Sequence, residues 1–180
     1  MTQMLFSPPT LTAPVSDRDH VRGPATARVT LVEYGDYECP FCGAAHPIVR
    51  EAQAILGDEM RFAYRHFPLS QIHLHSFQAA EAAEAAGAQG RFWEMHDMLF
   101  ENQDRLDTES LLVYARAIGL KLEPFMDDLA GHRHTARVRE DFLSGVRSGV
   151  NGTPTFFVNG IRHDGGYDLQ SLVAAMRRYL

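Results

Sequence analysis

The sequence predicts an α/β domain: a four-stranded mixed sheet, built as βαβ followed by αββα, with a helical subdomain inserted between the two halves. Three observations lead there. Two short apolar runs, residues 28–34 (RVTLVEY) and 60–67 (MRFAYRHF), flank a helical stretch. An Ala-rich tract with helical spacing then fills much of the middle of the chain. Near the C-terminus, Asn159-Gly160 separates two apolar runs, a strong local hairpin signal.

The elements follow in order. Residues 1–24 are rich in Pro, Ser and Thr and lack periodicity, and read as an N-terminal arm on the surface. Residues 28–34 suit a buried strand. Cys39 and Cys42 come next, with Pro40 where a first helical turn begins, a position at which the missing N–H is harmless. The helix is expected to run to Leu56 and stop at Gly57, kinked at Pro47. Residues 60–67 form a second strand with Phe62, Tyr64 and His66 on one face, so 25–67 is a parallel βαβ unit.

From His73 to Leu129 the signals are helical. Asp107 or Thr108 caps a helix whose Leu111, Ala115 and Ile118 share a face and which Gly119 ends, and a short helix follows over 123–129. Residues 132–148 form another helix with Val138, Phe142 and Val146 in register. TFFV and the Asn-Gly turn make the antiparallel pair, and Asp168 caps a last helix burying Leu169, Leu172, Val173 and Met176. The division is 25–67 with 131–180 for the α/β domain and 68–130 for the helical insertion.

The composition is that of an ordinary globular chain, 45% hydrophobic and 22% charged over 180 residues. A net charge of −6 argues against a protein that coats nucleic acid or an anionic membrane surface. No apolar run approaches the roughly 20 residues that span a bilayer. The N-terminus has neither a basic region nor a sustained apolar stretch, so a cytoplasmic location is expected, or a periplasmic one if the chain is a processed form.

Only two cysteines are present, three positions apart. So short a loop is a poor staple for a fold, which leaves a redox pair or half of a metal site. Cys39 sits where a strand hands over to a helix, and free N–H groups with the helix dipole favour a thiolate. Thiols so placed have pKa values of roughly 3.5–7.5. Cys42 lies one turn further in, so Cys39 attacks and Cys42 resolves. Asp36 and Glu38 put negative charge nearby and are expected to oppose the thiolate. The pairs His73-x-His75 and His132-x-His134 have no evident ligand spacing from the cysteines and are read as solvated or capping groups. His46, four residues beyond Cys42, is expected to pack or to tune the pair. Trp93 with Phe92, Met95, Leu99 and Phe100 reads as core.

YECPFC after a strand, Pro47 eight positions past Cys39, and GTPTFFVNG near the C-terminus together resemble the DsbA-like branch of the thioredoxin superfamily. The likeness is to bacterial DsbA-family thioredoxin domains with a helical insertion, and it covers about residues 19–180, through HVRGPATARVTLVEYGDYECPFCGAAHP, RHFPL and AAEAAGAQGRFWEMHDMLF. It implies a thioredoxin-like fold and a protein disulfide oxidoreductase with no cofactor and no metal. Its partners would be protein or peptide thiols and disulfides and a redox recycling partner. It implies that Thr153-Pro154 is a cis-proline loop against the active-site disulfide, pairing through Thr153 with an extended substrate beside Pro40 and Phe41. It also implies that Glu33 is the buried acid that shuttles the Cys42 proton, although a solvent-facing strand-end Glu fits the same position. Phe41 departs from the histidine of strongly oxidising relatives, which weakens that role here. Two alternatives stay open: a metal-binding or redox-sensing module using the same cysteines, and a glutathione-dependent isomerase resembling kappa-class transferases, which generally lack the paired cysteines.

Overall fold

The computed structural model describes residues 9–180. Its strands are β1 (His20–Arg22), β2 (Val29–Gly35), β3 (Met60–His66), β4 (Thr155–Val158) and β5 (Ile161–His163). The helices are α1 (Pro40–Leu56), α2 (Ser76–Gly87), α3 (Phe92–Glu101), α4 (Thr108–Ala117), α5 (Leu122–Ala130), α6 (Thr135–Arg147) and α7 (Leu169–Arg177). The sheet order is β1-β3-β2-β4-β5.

β2 and β3 run parallel, from Val29 opposite Met60 to Gly35 opposite His66, as a strand–helix–strand connection requires. β4 lies antiparallel on the other edge of β2, with Tyr34 opposite Thr155. This register positions the site, because the C-terminal end of β2 meets the N-terminal end of β4. Asn159 and Gly160 both take positive φ (47° and 81°), as a two-residue hairpin turn demands. Gly35 is needed for a different reason: a Cβ there would come 2.6 Å from the Tyr64 ring.

Both faces of the sheet are covered. On one, Leu31, Phe62, Tyr64 and Phe156 share a core with α1, α7 and the helices of the insertion, whose Met95, Leu99, Leu111 and Phe125 join it. On the other, Val32, Tyr34, Ala63, Phe67 and Phe157 pack with Val150 and Phe142. Full burial of each large side chain of this kind stabilises the fold by about 1.5–3 kcal/mol. Phe62, Tyr64 and His66 are therefore buried, but so are Ala63 and Arg65 on the opposite face of β3.

The sheet has five strands where the sequence predicts four. The additional strand, β1, lies within the stretch read as an arm; three residues are too few to show alternation. It pairs antiparallel with β3, His20 opposite Tyr64. Arg65, buried, holds the segment before it: Nε donates to Asp19 Oδ1 (2.7 Å) and Nη1 to Ala13 O (2.8 Å) and Tyr34 Oη (2.9 Å). Residues 1–8 of the predicted arm lie outside the described residues. A second correction concerns α6. Val146 is half exposed, because the helix seats Gly145 rather than Val146 on the sheet, so close to Phe67 and Tyr34 that a Cβ would come within 2.7 Å of a ring.

Candidate active site

Cys39 is the N-cap residue of α1 and Pro40 its first helical residue. The turn from β2 is closed by Cys39 N donating to Asp36 O (3.1 Å), and the helix opens with Gly43 N donating to Cys39 O (3.0 Å). Both cysteines are free thiols and buried, Cys39 at 3% exposure and Cys42 at 0%. Their acidities diverge. Cys39 is pulled down to about 5, chiefly by a hydrogen bond from Cys42, against the opposing effect of burial, with help from the Thr153 side chain and the N–H groups of Cys42 and Phe41. Cys42 is pushed far up, first by burial, then by that same bond to Cys39 and by the Glu33 charge.

The structure brings Thr153 and Pro154 to this pair. Cys39 Sγ lies 3.5 Å from Thr153 O, and the Thr153–Pro154 peptide is cis. Phe41 is exposed beside the cysteines. Glu33 is buried in β2, its Oε1 unpartnered, and its pKa is raised to about 8 by burial first and then by the charge on Cys39. It is not a solvent-facing strand end.

Several supporting residues lie outside the motif. Asp36, expected to oppose the thiolate, is buried and fully engaged: Oδ1 accepts from Glu38 N (2.8 Å), Oδ2 from Leu69 N (2.8 Å), and Oδ2 pairs with His73 Nδ1 (2.8 Å). The Glu38 carboxylate accepts from His75 N (2.6 Å) and pairs with its Nδ1 (3.1 Å). The two acids therefore anchor the loop after β3 through His73 and His75, which lie against their carboxylates. His132 and His134 likewise lie against Glu81 and Asp128, His132 with most of its ring in solvent. From the insertion, Gln103 Nε2 donates to Tyr37 O (2.8 Å) and Cys39 O (2.9 Å). Nothing in the local sequence marks Gln103, because its role exists only once the insertion folds back onto α1. Loop residues Leu69 and Ile72, with Phe77 and Phe142, line an apolar cleft of about 480 Å³, and Ile72 and Leu74 are exposed. Among the described residues, neither cysteine belongs to a cluster of three metal-ligating side chains.

Residues 15–177 match the thioredoxin family model. The chain belongs to the thioredoxin family. Its fold is similar to that of BdbD from Bacillus subtilis in its oxidised form (TM-score 0.82, 24% identity, 96% of each chain covered). A thioredoxin-like oxidoreductase from Silicibacter pomeroyi DSS-3 superposes with TM-score 0.80 at 29% identity, covering 91% of this chain and 92% of that one. Alpha-DsbA1 of Wolbachia pipientis gives TM-score 0.80 at 21% identity, with 94% of each chain covered. This family fold includes the helical insertion, which those alignments span. Among curated proteins the chain is 52% identical over 162 residues to Na(+)/H(+) antiporter NhaA 1 of Salinispora arenicola, covering 89% of this chain and 24% of that protein. The chain thus spans about a quarter of the length of the curated relatives it matches. No helix among the described residues is long and apolar enough to cross a membrane.

Proposed function

We propose that this protein exchanges disulfides with protein thiols through Cys39 and Cys42. The observation that carries the reading is the geometry of the pair: Cys39 at the N-cap of α1 with its Sγ 3.5 Å from Thr153 O, and Cys42 buried one turn behind it. In the oxidising direction a substrate thiolate attacks Cys39 Sγ, the Cys39–Cys42 bond breaks, and Cys42 leaves as a thiolate that takes a proton from Glu33. A second substrate thiolate then attacks the substrate sulfur of the mixed disulfide, forming the substrate disulfide and releasing Cys39 as a thiolate. Two electrons pass from substrate to the pair. The reducing direction runs these steps backwards, with Glu33 accepting the Cys42 proton. An extended substrate pairs along Thr153, with Pro40, Phe41 and the apolar 69–74 loop beside it.

The likeness to a solved thioredoxin-like oxidoreductase at 29% identity supports this reading. The relatives' antiporter name adds nothing to it, because the match spans only a quarter of those proteins. A Cys39 pKa of about 5 falls between the roughly 7 of thioredoxin and 3.5 of DsbA. Cys39→Ser should abolish disulfide exchange with a model peptide, and Cys42→Ser should accumulate mixed disulfides. Full activity in Cys39→Ser would sink the proposal.

A further inference from the structure

Behind the cysteines, α1 and α3 bring together three metal-ligating groups that the thiol chemistry does not use. His46 follows Cys42 by one turn and is 8% exposed. Its Nε2 faces Asp97 Oδ1 at 3.5 Å, and neither atom has a hydrogen-bond partner among the described residues. One ligand atom from each of His46, His96 and Asp97 lies within 4.8 Å of the other two. An N–H···O bond would draw nitrogen and oxygen to roughly 2.7–3.2 Å. Two ligands on one tetrahedral ion with bonds of about 2.0–2.1 Å instead stand about 3.3 Å apart.

The surroundings fit a bound ion. Asp97 Oδ2 is held by Arg22 Nη2 (2.9 Å), which fixes the carboxylate with Oδ1 turned to His46. His96 Nδ1 shares a hydrogen bond with Tyr37 Oη (3.1 Å), the kind of outer partner that orients a ligating imidazole. A cleft of about 350 Å³ lined by Gly43, His46 and Phe100 opens beside the group. The other triad of this kind, His66, Glu84 and Asp141, differs because two of its groups already hydrogen-bond each other, His66 Nε2 and Glu84 Oε1 at 2.8 Å.

We infer that His46, His96 and Asp97 form a binding site for one zinc-class divalent ion, which ties the active-site helix to the insertion. Two imidazoles and a carboxylate with an open fourth position suit zinc. The test uses the full chain with Cys39→Ala and Cys42→Ala, so that no thiolate competes and the outcome is independent of disulfide exchange. Zinc chloride titrated in a calorimeter should bind at one equivalent. X-ray absorption at the zinc edge should show two imidazoles in an otherwise oxygen shell. His46→Gln and Asp97→Asn, each checked for native near-UV circular dichroism, should weaken binding at least tenfold. No saturable binding, a shell without two imidazoles, or undiminished affinity in both variants would overturn the assignment. If His46→Gln fails to fold, Asp97→Asn and the absorption spectrum decide.

Discussion

A carboxyl group buried in a central strand with one oxygen unpaired couples stability to pH through a single side chain. The Glu33 pKa is about 8 in the folded protein against 4.5 for the ordinary group, chiefly because of burial. Between those values the folded chain holds a proton that the unfolded chain has released, so stability falls as pH rises from about 4.5 to about 8. Glu33→Gln removes this dependence. The reduced variant should match the parent near pH 4.5 and exceed it by about 2–4 kcal/mol at pH 8, read by urea denaturation. A gain that does not change with pH would mean that titration of Glu33 is not its source. The same variant should slow disulfide exchange by about 100-fold if the carboxyl relays the Cys42 proton. Phe41 offers the complementary test. Phe41→His places a donor beside the thiolate, so the Cys39 pKa should fall below about 5 and the potential become less negative, by about 30 mV for each tenfold shift in equilibrium. Thiol alkylation in glutathione buffers reads it, and an unchanged potential would show that the dipeptide does not set the redox poise.

At the scale of elements, the start of α1 is held as much by the insertion as by its own sequence. A Cβ on Gly43 would lie only 1.9 Å from Gln103 Oε1, so Gly43→Ala must swing the amide away from Tyr37 O and Cys39 O. Gln103→Ala removes the same two bonds. Each variant should cost about 1–2 kcal/mol, and the double variant little more than either alone, because they act on one interaction. Full additivity in urea denaturation would separate the two residues. This contact also marks the limit of what the sequence discloses. The helix start at Pro40, its stop at Gly57 and the Asn159-Gly160 turn were legible because local backbone chemistry determines each of them. Cys39 and Cys42 were legible from their spacing, and Thr153-Pro154 only through likeness to a family. Gln103 and β1 were not legible, since one acts across 64 residues and the other shows no pattern in three. Asp36 was legible only in part: its charge is evident in the sequence, whereas Leu69 N and His73, which hydrogen-bond its carboxylate, come from a loop over 30 residues away.

For the molecule as a whole, the acidity of Cys39 makes the redox state and the stability of the fold two readings of one equilibrium. An acid depressed from 9 to about 5 contributes stability that is full above its unfolded pKa and is lost as pH falls through the folded value. That contribution exists only in the reduced protein, because the disulfide has no Cys39 proton to lose. Cys42, pushed upward, stays protonated when folded and affects the balance only near and above pH 9. Glu33 is shifted chiefly by burial and only secondarily by the Cys39 charge, so most of its effect should cancel when the two forms are compared. The stability of the reduced form relative to the oxidised form should therefore grow steadily from about pH 5 to about pH 9. Thermal denaturation of both forms at one-unit pH intervals would show the reduced form's midpoint rising relative to that of the oxidised form across that window. A constant gap would mean that Cys39 is not held as a thiolate by the fold. The thiolate would then have to arise only when substrate is bound.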